Sequence, residues 1–70
     1  MASRNWVEAM HSAKLMGYKP IEHGRQDTLV EHEHTGTQVT IPMAQAPMKR
    51  WTGAMWQSTM KSLVMGATSA

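Results

Sequence analysis

The apolar residues of this chain fall into two helical patterns with a strand pattern between them. Trp6, Ala9, Met10, Ala13 and Met16 recur at three- and four-residue spacings, which lines one face of a helix. Asn5 is a natural cap for it, with Glu8 three residues later, and Gly17 followed by Tyr18 supplies the stop. The period then shortens. Tyr18 to His23 reads as a short strand in which Pro20, lacking a ladder donor, points to a sheet edge. After the polar turn Gly24-Arg25-Gln26-Asp27, Thr28 to His34 alternates, with Leu29, Glu31 and Glu33 on one face and Thr28, Val30, His32 and His34 on the other. Thr35-Gly36 reverses the chain, and Thr37 to Pro42 predicts a last strand that buries Val39 and Ile41.

Pro42 and Pro47 bracket a loop from Met43 to Met48. A second helix is expected from about Lys49 to Val64, with Met55, Trp56, Thr59, Met60 and Leu63 inward and Gln57, Ser58 and Lys61 outward. Gly53 weakens its first turn by roughly 1 kcal/mol relative to alanine, so packing must hold that turn. Residues 65–70 read as a frayed tail. Trp6 and Trp56 sit on the apolar stripes, whereas Trp51 lies at a stripe edge and reads as the exposed one. Of the methionines, Met10, Met16, Met55 and Met60 fit the core, and Met43 and Met48 offer an adaptable loop surface. The order helix, three strands, helix predicts an α+β fold: one domain over residues 1–70, a three-stranded antiparallel sheet with both helices on one face.

Composition agrees with a folded domain and removes several classes. Hydrophobic residues make up 41% and charged residues 17% of the 70, which suits one modest core. Cysteine is absent, so neither a disulfide framework nor a thiolate metal site is available. No apolar run approaches the ~20 residues of a membrane span, and Glu8, His11 and Lys14 interrupt any signal-peptide pattern, so a cytoplasmic location is expected. No cofactor motif stands out. Charge is uneven: residues 1–41 carry four basic and five acidic side chains, while residues 42–70 carry Lys49, Arg50 and Lys61 with no acid. Such a basic third suits an anionic partner, RNA or DNA, with Arg25 in the turn and Lys19 on the first strand as further phosphate contacts. A solvated helix face would carry the same charges.

His32 and His34, two apart on a strand, would project from the same face. They read as an acid–base pair, as part of a metal site with His23, or as plain sheet surface, and the last is the preferred reading.

In order and spacing, the chain resembles the HicA toxin family, small ribonucleases with a fold like the double-stranded-RNA-binding domain. The likeness runs from Trp6 to Leu63. It is carried by Gly17-Tyr18 at the helix end, by Gly36-Thr37-Gln38-Val39-Thr40-Ile41-Pro42, by the loop after that proline, and by Thr52-Gly53 through Lys61-Ser62-Leu63. The resemblance implies RNA as the partner, ahead of DNA, and an antitoxin protein as a second one. The family's catalytic histidine, in a glycine-serine-histidine triplet, would fall at the end of Gln26-Asp27-Thr28, and Thr28 has no imidazole. The expectation is therefore a module that binds RNA through Lys19, Arg25, Lys49, Arg50 and Lys61 without the usual cleavage. An active toxin would need His32 or His34 in that role. The alternative class is a protein-interaction module, such as a phage-encoded regulator or a homodimer, using the edge at Tyr18–His23 and the Met43–Met48 loop.

Overall fold

A computed structural model describes residues 4–68. Helix α1 (Trp6–Leu15) leads into strands β1 (Tyr18–His23), β2 (Asp27–His32) and β3 (Gln38–Pro42), and helix α2 (Gly53–Thr68) follows. The sheet is antiparallel in the order β1-β2-β3, as expected for an α+β chain of this pattern. Asn5 caps α1 through its side-chain oxygen, which accepts the Glu8 N–H at 3.0 Å. Gly17 ends the helix at φ +98°, and a Cβ there would lie 2.8 Å from Nε2 of His32, so only glycine fits.

Alternation along β2 decides which face is covered. Thr28, Val30 and His32 are buried, while Leu29 and Glu31 lie on the other face with Gln38 and Thr40 of β3 opposite them. Ile41 is fully buried and Val39 half-buried. The core is Ala9 and Ala13 of α1, Tyr18, Val30 and Ile41 of the sheet, Trp51, and Leu63 of α2.

Several boundaries differ from the sequence reading. β2 stops at His32, where residues 33–35 turn, so His34 leaves the sheet. α2 begins at Gly53, because the Thr52 hydroxyl caps it by accepting the Met55 N–H at 3.1 Å. At its other end α2 continues through Thr68, so residues 65–68 are helix, while Ser69 and Ala70 lie outside the described residues. Trp51 is buried, 3% exposed, with its ring edge-on to Trp56 at 6.0 Å, and Met43 packs against the core. Only Met48 of the loop methionines stands out, at 75% exposure.

The last turns of α2 are helical because the sheet fastens them. Tyr18 donates its hydroxyl to the Leu63 carbonyl at 2.6 Å, and Thr35 Oγ1 donates to the Gly66 carbonyl at 2.8 Å. Gly66 is where α2 meets Tyr18 and Thr37: an added Cβ would collide with the Tyr18 hydroxyl and lie 2.8 Å from Thr37 Cγ2. Alanine ordinarily favours a helix interior over glycine by about 1 kcal/mol. At this position the sign should reverse. Gly66→Ala is expected to destabilise by about 1–3 kcal/mol in urea unfolding, the range for overpacking a core.

Burial raises the Tyr18 pKa above the usual 10.0. A raised folded-state pKa means stability that is complete below pH 10 and is lost as pH climbs through the folded value. Tyr18 is the only tyrosine, so ultraviolet titration reads it alone. Phenolate absorbance should rise together with loss of helical circular dichroism, and Tyr18→Phe should delay the alkaline unfolding.

Candidate nucleic-acid interface

Chain direction brings the candidate cations together. α1 runs toward Tyr18, β1 runs back, β2 forward again and β3 back, so the β1–β2 turn and the exit of β3 share one end of the sheet. A hydrogen bond from Ala44 N–H to the Gln26 carbonyl, 3.0 Å, joins them. Met43, at φ +67°, holds the left-handed conformation that turns the chain there. The loop then crosses to the start of α1: Val7 N–H donates to the Pro47 carbonyl at 3.4 Å and Trp51 N–H to the Arg4 carbonyl at 2.6 Å. Buried Trp51 thus anchors the backbone that carries Lys49 and Arg50.

Both helices therefore begin at this end, and their positive poles point out of it together. Arg4 reaches across to α2, its Nη1 3.7 Å from the position a Cβ on Gly53 would take. The first turn of α2 contains no acid, whereas α1 has Glu8. Arg4, Arg25, Lys49 and Arg50 are all exposed, and among the described residues no carboxylate lies within ion-pairing distance of them. Glu8, Glu22 and Asp27 are the acids of this end.

The other two candidates stand apart. Lys61 is on the solvent face of α2, eight residues beyond Gly53 and so about 12 Å along the axis. Lys19 belongs to the opposite end, paired across the sheet with Glu31. Sequence reasoning missed Arg4, because only the loop's return to α1 brings it to Gly53.

The histidines occupy three different settings. His32 is buried, its Nε2 2.7 Å from the Met16 carbonyl. Its Nδ1 receives the His34 and Thr35 backbone N–H groups at 3.2 and 3.3 Å. Two donors aimed at Nδ1 require it to be bare, so the proton is on Nε2 and donates to Met16. The Tyr18 ring meets this imidazole edge-on at 5.0 Å. His32 is thus not the solvated surface residue read from the sequence; it closes the end of α1 and shapes the β2–β3 turn. His34 is exposed in that turn, with its ring centroid 6.0 Å from that of His32. His23 lies at the far end of the sheet opposite Thr28, with Nδ1 3.2 Å from the Thr28 hydroxyl. No group of three metal-ligating side chains forms among the described residues.

Thr28, the position where the resemblance would put a catalytic imidazole, is fully buried and closed to a substrate.

No family model matches the chain, and no curated protein or solved structure matches it either. Among the described residues, no helix is long and apolar enough to cross a membrane.

Proposed function

We propose that this protein is a HicA-like RNA-binding module that holds phosphates at the end where α1 and α2 both begin. The observation that carries the reading is the convergence there of two helix N-termini with Arg4, Arg25, Lys49 and Arg50, none of them ion-paired among the described residues. The N–H groups of Gly53 and Ala54, left over once the Thr52 hydroxyl takes that of Met55, and flexible cationic side chains beside them suit phosphate oxygens. Contacts of this kind read backbone shape and carry little sequence information. The element order supports the family likeness, and RNA is preferred over DNA on that likeness. Lys61 extends the surface along α2, and Lys19 takes no part.

In this reading the module binds without cleaving. Thr28 offers no base, and both nitrogens of His32 are occupied by the backbone.

Fluorescence anisotropy with a labelled RNA oligonucleotide over a series of salt concentrations tests the proposal. Four phosphate contacts predict a log–log slope of about −3 to −4 for single or double strands. A slope near zero, or no binding at low salt, would reject it. Shortened RNA after incubation would instead assign cleavage to a histidine other than His32.

A further inference from the structure

The sheet has two free edges, and the phase of its hydrogen bonds sets what each can offer. His32 N–H donates to the Thr37 carbonyl at 2.9 Å, so in the β2–β3 register His32/Thr37, Val30/Val39 and Thr28/Ile41 are the bonded pairs. Gln38 and Thr40 therefore direct both N–H and C=O to the outer side of β3. Among the described residues these groups meet no other partner. On the other side of the sheet, Glu33 N–H donates to the Gly17 carbonyl at 3.0 Å, and the same alternation turns Tyr18 and Pro20 outward on β1.

The β1 edge is guarded. Pro20 has no N–H to offer there, the ladder shifts between Pro20 and Glu22, and Lys19 and Glu22 are charged. The edge at Tyr18–His23, expected from the sequence to serve self-contacts, is thus the closed one. β3 has none of these devices before Pro42. Its register with β2 is unbroken, Gln38 and Thr40 are exposed, and residues 35–48 carry no charged side chain.

We infer that β3 pairs edge to edge with β3 of a second copy of this chain, antiparallel about a two-fold axis at Val39. With Val39 opposite its own copy, Gln38 faces the second copy's Thr40, and each pair exchanges N–H and C=O in both directions. Every outward N–H and C=O of these two residues is then satisfied on both copies. Centring on Thr40 would instead oppose Gln38 to Pro42, whose nitrogen has no proton, and strand the Gln38 carbonyl. The half-buried Val39 side chains meet at the close, non-hydrogen-bonded position. A two-fold axis sets like side chains near one another, so a charged edge repels itself; the neutral β3 suits a second copy and gives a charged partner no counter-charge. The pairing uses none of the phosphate-binding side chains, so it stands or falls separately from RNA binding.

One strand pair is a small interface, and a dissociation constant of roughly 10–100 µM is expected. Sedimentation equilibrium of the full chain, from about 1 µM to 1 mM, should show a monomer passing to a dimer. Gln38→Glu with Thr40→Glu sets carboxylates opposite each other at both crossings and should weaken the dimer about tenfold or more. Gln38→Glu with Thr40→Lys sets opposite charges there and should restore it. Both positions are exposed, so circular dichroism should be unchanged in either variant. Because the chain has no cysteine, Val39→Cys adds a lone thiol that should link the dimer under mild oxidation. Thr40→Cys should not, since antiparallel pairing leaves it about 8 Å from its own copy. A monomer throughout the range, or a dimer indifferent to both charge pairs, would overturn the inference. So would equal cross-linking at the two positions, the result for parallel strands.

Discussion

Replacing both Lys49 and Arg50 with glutamate is expected to weaken RNA binding by roughly a hundredfold at moderate salt, about 3 kcal/mol. The substitution removes two phosphate contacts and adds two repelling charges next to the first turn of α2. Both side chains are exposed and make no bonds among the described residues, so the fold should survive, as circular dichroism would confirm. The salt slope is the sharper readout: losing two contacts should flatten it by about 1.4 to 1.8. An affinity unchanged within twofold would mean that phosphate is held elsewhere, and the proposed interface would fall with it.

The second large effect is on stability. His32→Ala should cost about 2–4 kcal/mol in urea unfolding. It strands the Met16 carbonyl and leaves the His34 and Thr35 N–H groups without the acceptor they share. It also removes the edge-on partner of Tyr18. His34→Ala, in the exposed turn two residues on, should stay within about 0.5 kcal/mol. A surface pair would give two small values, so similar losses at both positions would show that His32 does not hold the end of α1 and the turn together.

The contrast between these two histidines shows where sequence patterning stops. Local rules located α1, with its Asn5 cap and glycine stop, and the alternation that buries Thr28, Val30 and Ile41. Those signals depend on neighbours within a few residues. His32 and His34 share a period-two position only while the strand continues, and the strand ends at His32 because its ring accepts the N–H groups of the turn. Polarity alone cannot distinguish a buried imidazole with backbone partners from a wet one. The shift of α2 has a similar origin. A glycine near a chain end ordinarily reads as a helix stop, but Gly66 is required within the helix by the approach of Tyr18 and Thr37, which lie far earlier in the chain. Trp51 looked like a stripe edge because its burial comes from the docking of its loop on α1. At the candidate site, Arg25, Lys49 and Arg50 were visible as charges. What the sequence could not supply was the folding path that unites them with Arg4 and excludes Lys19.

Because α1 and α2 run the same way, their peptide dipoles add, where an antiparallel pair would cancel them. A molecule with a net charge of only +2 thereby gains an electrical front and back. In the field of a polyanion it should rotate before touching, presenting one face during the encounter. Stopped-flow measurements should then find that added salt slows association more than it speeds escape, a kinetic signature of orientation achieved at a distance.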